Sequence, residues 1–273
     1  MKKIFNTGET AEQLKATYNP DGSTLRAVQE RLLDMLLYLD KVCKTINVPY
    51  RLDGGNVLGA LRHDGFIPWD DDLDVAIEEK HYKRLCDYLK THPHPRYVLQ
   101  STETDKGSLR FWCTIRDTKS EYIHRRPISL NDAFKYRGLQ IDLFSMHRKQ
   151  IPFLHRAADI FYRYTVMKII GHSFFLAKLC FDIQRYIIHP VFYFISRIFG
   201  NSNMYMFAYG TPFKYRFPKD VVLPYKNMNY EGHAFPGPAN PEEYCAIHYG
   251  PNYGDLPDKD HRNHHDVVYV LTD

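Results

Sequence analysis

The chain has 273 residues, of which 44% are hydrophobic and 25% charged, a balance that is typical of a folded globular protein and excludes a largely disordered one. Its formal net charge of +4 is mildly basic, but no nucleic-acid-binding motif accompanies it, so binding to DNA or RNA is not expected. The length suits one sizeable domain with an insertion, or two small domains.

Five cysteines are scattered along the chain, odd in number and without a Cys-x-x-Cys pair: Cys43, Cys86, Cys113, Cys180 and Cys245. This usage is typical of a reducing compartment and predicts neither a disulfide framework nor a structural zinc site. The first residues also lack an apolar stretch of signal-peptide length. We therefore expect a cytoplasmic protein.

In chain order, the first predicted element is a long amphipathic helix between Ser23 and Asn47. Apolar side chains recur there at helical spacing, at Leu25, Val28, Leu32, Leu33, Leu36 and Leu39. We interpret residues 1–48 as an N-terminal helical segment that packs on a catalytic core formed by residues 49–147.

A glycine pair comes next. Gly54 and Gly55 stand between a short extended stretch, Tyr50–Leu52, and a helix-like run from Asn56 to His63. Because glycine permits a tight turn, backbone N–H groups at the start of this helix can point at an anion. The pair is therefore predicted to lie against a phosphate.

Two basic residues, Arg62 and His63, end the same helix. Positive charge at a helix C-terminus is favoured by the helix dipole even where nothing is bound. Two interpretations stay open: these side chains bind phosphate, or they only complement the dipole.

Four aspartates precede and begin the next strand: Asp70, Asp71, Asp72 and Asp74. Side chains two positions apart on a strand share a face, which places Asp72 and Asp74 together. Adjacent carboxylates repel each other unless a cation neutralises them, so the pair predicts a site for a hard divalent ion such as Mg²⁺. A solvated turn is the alternative, but apolar residues surround these acids.

A second acidic strand is predicted from Gly138 to Met146, with one carboxylate, Asp142, among apolar neighbours. Burying a lone acid is costly, which indicates a specific role or a partner. If this strand lies beside the first, Asp142 can be a third metal ligand or a general base. Pairing with a structural arginine is the alternative.

Between these strands, the sequence predicts a helix over Glu79–Lys90 and strands over Tyr97–Gln100 and Arg110–Asp117. Alternation along the last strand puts four side chains on one face, namely Arg110, Trp112, Thr114 and Arg116. That face can meet a nucleotide or can serve ordinary cross-strand packing.

Residues 148–212 are rich in aromatic and basic side chains, and Arg148–Gly210 is predicted to form two or three amphipathic helices. The longest uncharged stretches fall short of the roughly 20 residues that a spanning helix needs. Such helices can lie in a bilayer interface, as a peripheral contact with the inner face of the cell membrane, or can form a layer buried against the core. Both interpretations are kept.

Residues 213–273 are predicted to be a loop-rich segment that completes the site. Asn240, Pro241 and Glu243 have the pattern of a helix start, and this helix runs through Tyr249. The adjacent His264 and His265 are interpreted as solvated tail or phosphate contacts, because adjacent side chains diverge on regular structure.

The segment GGNVLGALRHDGFIPWDDDLDVAI resembles the signature of the LicD family, which includes the fukutin-related proteins. The similarity covers about Pro49 to Glu78, continues through GLQIDLF, and extends to HYGPNYGDLPDKDHRNHH in the tail. It implies an α/β (α+β) fold, with a nucleotidyltransferase-like mixed sheet flanked by helices and a helical insertion. It also implies transfer of a phospho-alcohol from a CDP-linked donor to a glycan hydroxyl.

The resemblance assigns roles to individual positions. It implies metal binding by Asp72 and Asp74, phosphate binding by Gly54 and Gly55, and a role for Asp142 as the later acid. Family members usually have threonine or serine after the glycine pair, where this chain has Asn56. The asparagine amide can replace that hydroxyl as a donor to phosphate, or can cap the following helix.

Together these observations predict a Mg²⁺- or Mn²⁺-dependent transferase at the cytoplasmic face of the membrane. It would move a phospho-alcohol, with phosphocholine favoured on family grounds, from a CDP-linked donor to a glycan or lipid-linked glycan and release CMP. A nucleotidyltransferase that moves NMP from an NTP is one alternative, and a noncatalytic membrane-surface protein is another.

Overall fold

The computed structural model describes residues 5–124, 132–262 and 267–272. Its helices are α1 (Ala11–Tyr18), α2 (Thr24–Thr45), α3 (Gly54–His63), α4 (Glu79–Thr91), α5 (Pro152–Tyr162), α6 (Phe174–Ile183), α7 (His189–Phe199), α8 (Lys219–Val222) and α9 (Pro241–Tyr249), with a short 3₁₀ turn at Lys259–His261. Its strands are β1 (Arg51–Leu52), β2 (Asp74–Glu78), β3 (Tyr97–Gln100), β4 (Cys113–Asp117), β5 (Ser120–His124), β6 (Gln140–Arg148), β7 (Met204–Phe207), β8 (Phe217–Pro218), β9 (Lys226–Tyr230), β10 (His233–Gly237) and β11 (Val267–Leu271).

The main sheet has the order β1-β2-β6-β4-β3. β7 pairs with the C-terminal part of β6, on the same edge of β6 as β4, and β8 pairs with β7. β2 and β6 run parallel, while the other neighbours are antiparallel. β6 lies in the middle of this sheet. Its residues from Ile141 to His147 are all buried, as expected of a strand covered on both faces. The mixed sheet flanked by helices confirms the predicted fold class.

The long helix α2 packs against this sheet. Ser23 caps it by accepting a hydrogen bond from the Arg26 N–H, and one apolar stripe of the helix is buried. The stripe includes Val28, Leu32 and Leu39, which belong to the main hydrophobic core. The predicted helix between Ser23 and Asn47 is thus confirmed.

Several boundaries differ from those that the sequence predicted. α3 begins at Gly54 rather than Asn56, because Asp53 occupies the cap position with extended backbone. β4 begins at Cys113 rather than Arg110, since pairing with β6 starts only there. The β9–β10 hairpin and the pairing of β5 with β11 were not predicted.

Residues 152–199 form two long helices. α5 continues through a π-helical turn at Arg163–Met167, and α6 continues through another at Gln184–Ile188 directly into α7. A small separate core joins these helices to the rest of the chain and consists of Leu109, Phe134, Tyr162, Val166, Ile170, Ala177 and Phe181. The helices end at Phe199, and a strand, β7, occupies part of the range predicted as helical. In the described ranges, no helix combines the length and apolarity that crossing a bilayer requires.

Candidate active site

The site is organised by the pairing of three strands. Asp74 on β2 stands directly opposite Asp142 on β6, and Asp142 stands opposite Thr114 on β4. Residues opposite each other across a sheet project to the same face, so these three side chains form a row. The two acidic strands are therefore neighbours, which is the condition on which the predicted roles of Asp142 depended.

Asp142 is held in place by polar neighbours. The Thr114 hydroxyl donates to Asp142 Oδ1 at 2.7 Å, and Gln140 Nε2 lies 3.4 Å from Oδ2. The Arg110 guanidinium is 3.9 Å from Oδ1. The charge of Asp142 is thus partly offset within the protein.

Asp74 has a different environment. Burial raises the pKa of its carboxyl well above the ordinary value, and the nearby carboxylates of Asp72, Asp142, Asp53 and Asp70 raise it further. The pKa of Asp70 is also raised well above its ordinary value, first by burial and then by Asp72 and Asp71. Ionising all of these buried acids at once is therefore unfavourable.

The acidic loop is anchored by α2. The buried Gln29 donates from Nε2 to the carbonyl oxygen of Asp70 at 2.8 Å and accepts from the Asn19 amide at 2.6 Å. A helix predicted only as scaffold thus fixes the backbone of the carboxylate cluster.

A buried network shapes the turn before α3. Arg51 and Asp53 form a buried ion pair of 2.5 Å, and the Tyr244 hydroxyl donates to Asp53 Oδ1 at 2.7 Å. The same hydroxyl accepts from the Gly54 N–H at 3.0 Å. The Gly54 N–H thus has a hydrogen-bond acceptor within the protein, and these contacts fix the conformation of the turn.

The glycine pair lies against the acids. Gly54 has φ of +52°, in the region that favours glycine, and a Cβ built there would lie 3.4 Å from Asp74 Oδ2. A Cβ on Gly55 would lie 3.0 Å from Asp70 Oδ2. The N-terminus of α3, whose dipole favours anions, thus meets the carboxylate cluster.

Asn56 connects α3 to β2. Its Oδ1 accepts from the Asp74 N–H at 2.7 Å, and its Nδ2 donates to the Tyr230 hydroxyl at 3.0 Å. One end of the amide thus holds the first residue of the acidic strand, and the other end holds the Tyr230 side chain. A contact between Asn56 and a bound phosphate stays a prediction.

Arg62 and His63 lie at the opposite end of α3, away from the cavity. Arg62 is buried and donates to the Asp255 carbonyl oxygen at 2.9 Å, and burial lowers its pKa. The His63 ring packs near Phe5 and Trp69. The structure does not bring these two residues to the glycine end, and their role in donor binding stays a prediction.

Arg262, in the tail, likewise has its partners outside the cavity lining. Arg262 is buried, donates to Glu9 at 2.7 Å and lies over the Trp69 ring. His264 and His265 lie outside the described residues.

The carboxylates open into a cavity of 570 Å³. Asp72, Asp74 and Asp142 line one part, and four arginines, Arg110, Arg116, Arg137 and Arg163, also line it. Aromatic side chains complete the lining, including Trp112, Phe134, Tyr162 and Phe213. Such a site offers opposite charges and apolar rings to one ligand.

Some of these lining residues escaped the sequence analysis. Arg137 and Arg163 carry no motif signal, because they reach the cavity only through the folding of distant segments. The tyrosines of the β5–β11 pair, Tyr122 and Tyr269, were not predicted either; their hydroxyls bond to Asp71, and Tyr122 also lines the cavity. Arg110, Trp112 and Arg116 were anticipated as one face, although only Arg116 lies on the strand.

The residues present fit a hard divalent cation by their chemistry. The carboxylates around Asp74 repel its charged form, and a bound cation would offset that repulsion. A Cβ on Gly54 would narrow the space beside Asp74, so glycine keeps this space open. In residues 5–124, 132–262 and 267–272, however, no three Asp, Glu, His or Cys side chains form a preassembled ligand group. Any cation would therefore draw the carboxylates together.

The sequence is similar to those of known proteins of one family. The family model described as the LicD/FKTN/FKRP nucleotidyltransferase domain matches residues 47–190. The lipopolysaccharide cholinephosphotransferase LicD of Haemophilus influenzae is 26% identical over 269 residues, which cover 91% of this chain and 98% of that protein. The human and mouse ribitol 5-phosphate transferases FKRP are 43% identical over 53 residues, which cover 19% of this chain and 10% of each relative.

The matched segment includes the glycine turn, both acidic strands and most of the helices over residues 152–199. It covers more than half of the chain, and the cavity with its carboxylate row lies mostly within it. The chain therefore belongs to the LicD/FKTN/FKRP family, as its motifs predicted, and is a LicD-like phosphotransferase.

Proposed function

We propose that the protein transfers phosphocholine from CDP-choline to a hydroxyl of a glycan or glycolipid and releases CMP. The observation that carries this proposal is the pairing of Asp74 with Asp142 at the edge of a cavity that also presents arginines and aromatic rings. The name of the Haemophilus relative supports choline phosphate as the cargo.

Asp72 and Asp74 are the residues that would hold Mg²⁺ or Mn²⁺. The groups that raise the pKa of Asp74, besides burial, are all carboxylates, and these are the ligands that such ions prefer. When bound, the cation supplies neutralisation of the donor diphosphate and of the charge that develops on its oxygens. Arg110 would contact a donor phosphate from the Asp142 side.

We assign Asp142 the role of general base for the acceptor hydroxyl. Because Thr114 and Gln140 fix its orientation, it can accept the proton of an acceptor hydroxyl held beside the donor. The acceptor oxygen then forms a bond to the phosphorus that carries choline, the bond from that phosphorus to CMP breaks, and CMP leaves with the electron pair.

The cavity also narrows the candidates for choline recognition. A quaternary ammonium is attracted to the faces of aromatic rings, and Trp112, Phe134, Tyr162 and Phe213 all line the cavity. Arg110 lies 4.7 Å from the Phe134 ring centroid and 5.4 Å from that of Trp112, so these rings already accept a cation.

The test is incubation of the purified protein with Mg²⁺, a glycolipid acceptor fraction and a panel of CDP-choline, CDP-ribitol and CDP-glycerol, with CMP release as the readout. We expect CDP-choline to be turned over fastest and Asp74→Asn to lower its turnover by roughly 10³-fold. Release of pyrophosphate from CTP would instead identify a nucleotidyltransferase. No product from any donor would contradict catalysis and favour the noncatalytic alternative.

A further inference from the structure

The two long helices over residues 152–199 leave an unusual amount of apolar surface uncovered. Among the residues that the structure describes, fifteen of the nineteen exposed large apolar side chains lie on this segment, and Phe153, Phe175 and Phe199 are each 75% exposed. Isolated apolar side chains on a surface need no explanation, but a concentration of this kind marks an interaction site.

We propose that this outward face, named here the apolar face of residues 152–199, docks on the surface of an anionic lipid bilayer. On the second helix the exposed side chains follow helical spacing, at Phe175, Leu179, Ile183, Ile187, Val191 and Phe194. They therefore form one continuous stripe that can enter a bilayer interface with the helix lying flat.

The opposite side of the same helix is fixed to the protein. Ala177 and Phe181 belong to the small second core, and Gln184 donates to the Ala158 carbonyl oxygen at 2.7 Å. The Ser196 and Tyr209 hydroxyls are 2.5 Å apart. The helix is thus held in one orientation, and the apolar stripe cannot turn inward without breaking these contacts.

The charge of residues 152–199 indicates which kind of lipid headgroup this face would bind. Residues 152–199 contain six lysines and arginines and two aspartates. Both aspartates are already ion-paired, Asp159 with Arg163 and Lys214, and Asp182 with Lys178. The segment therefore carries a net positive charge, and basic residues near apolar ones are attracted to anionic headgroups.

The same charge argues against a second copy of this chain on the face. A symmetric dimer would place identical positive surfaces against each other, and like charges in an interface are unfavourable. A bilayer that contains anionic lipid is complementary to both the stripe and its charge.

The apolar face is continuous with the cavity. Tyr162, Arg163 and Met167 line the cavity, while the adjacent Tyr164 and Lys168 are exposed on the same helix. Docking would bring a lipid-linked acceptor to the cavity mouth. This last consequence rests on the proposed function, whereas the docking itself does not.

Liposome flotation with the full chain tests the docking. We expect the protein to float with vesicles of phosphatidylcholine and phosphatidylglycerol and to float much less with phosphatidylcholine alone. The double variant Phe175→Glu/Phe194→Glu should remain in the soluble fraction. A matched control, Val268→Glu/Val270→Glu, changes two exposed apolar residues on β11, outside residues 152–199, and should float like the unmodified protein.

Two further variants test the contribution of charge. Arg156→Ala and Lys168→Ala should each weaken binding to the anionic vesicles about fivefold, because each removes one cation near the surface. Flotation that is absent with both vesicles, or unchanged in Phe175→Glu/Phe194→Glu, would overturn the proposal. Self-association that the same variant abolishes, without flotation, would also overturn it. CMP release from CDP-choline is measured in parallel, so failure of docking with turnover intact is distinguishable from failure of the proposed function.

Discussion

The core around the sheet and the helical pair over residues 152–199 differ in how they treat their side chains. In the core, buried polar groups such as Arg51, Asp53 and Tyr244 bond to one another and fix the turn that holds the acids. The helical pair buries one stripe of side chains in the small second core, and it exposes a second stripe, which is apolar, to solvent. The core buries its apolar side chains within the protein, whereas the helical pair exposes the apolar face that we propose docks on a bilayer.

This difference predicts separate consequences for mutation. Changes in the core should alter turnover and stability, while changes on the outward face should alter where the protein binds and leave turnover of a soluble donor intact.

The largest effect is expected for Asp74→Asn. Loss of one carboxylate from the row should lower turnover by roughly 10³-fold, because metal binding and charge stabilisation would both be impaired. The same variant should raise the melting temperature of the metal-free protein, since burial and neighbouring carboxylates disfavour the ionised Asp74. Steady-state kinetics and thermal unfolding measure the two effects.

A matched control for Asp74→Asn is Asp87→Asn on α4, which removes an exposed carboxylate ion-paired with Lys83. It should leave both turnover and melting temperature nearly unchanged. Equal loss of turnover in both variants would show that net charge, and not the carboxylate row, is responsible.

The next effect concerns the buried network. Tyr244→Phe leaves the Gly54 N–H and Asp53 without the shared hydroxyl, which should cost about 2 kcal/mol in the free energy of unfolding. Tyr225→Phe is the control, because in the described part of the chain the buried Tyr225 hydroxyl has no hydrogen-bond partner. Urea unfolding of the two variants should differ clearly; equal midpoints would contradict the role given to Tyr244.

Acid should weaken the contact between the helical pair and the core. Burial lowers the pKa of His155 to about 4, with Asp159 and Lys214 as nearby charges, and burial lowers that of His189 to about 3. Because the unfolded chain binds these protons first, stability is full above about pH 6.5 and falls as pH decreases toward the folded pKa values. Lowering pH from 7 to 5 should cost about 1–2 kcal/mol per histidine.

Urea unfolding at several pH values measures this acid effect. His155→Asn/His189→Asn should flatten the dependence between pH 7 and pH 5, whatever its effect on stability at pH 7. A slope that persists in the double variant would contradict the assignment to these histidines.

The smallest effect separates the two glycines. Gly54→Ala forces a side chain into a left-handed conformation next to Asp74 and should cost about 1 kcal/mol. Gly55→Ala meets only the end of the Asp70 side chain, which can move, so its cost should be smaller. Thermal unfolding of both variants provides the comparison, and a larger loss at Gly55 would contradict it.

Local patterns in the sequence predicted the strands that carry the acids better than the elements around them. Strand periodicity and burial, which are local properties, grouped Asp72 with Asp74 and singled out Asp142, although β2 begins only at Asp74. That the two strands are neighbours was a condition of the prediction, and the pairing of Asp74 with Asp142 meets it. The pairing of β5 with β11 was not predictable in this way, since it joins residues about 150 positions apart in the register Tyr122 with Tyr269.

Side-chain roles were harder to predict than positions. Asn56 was expected to contact phosphate or cap a helix, yet its amide joins Asp74 to Tyr230, which depends on the distant β9. Arg62 was open between phosphate binding and a helix-end role, and its contact with the Asp255 carbonyl oxygen depends on where the tail lies. Such partners are set by tertiary packing, which no spacing rule describes.

At the centre of the proposed function, Asp72 and Asp74 hold a divalent cation together with the donor diphosphate. Electron paramagnetic resonance of Mn²⁺ titrated into the protein with CDP-choline tests it most directly. We predict binding that CDP-choline strengthens and that Asp74→Asn weakens at least about tenfold. Mn²⁺ binding that is identical in the two proteins, or CDP-choline binding that needs no cation, would contradict the claim.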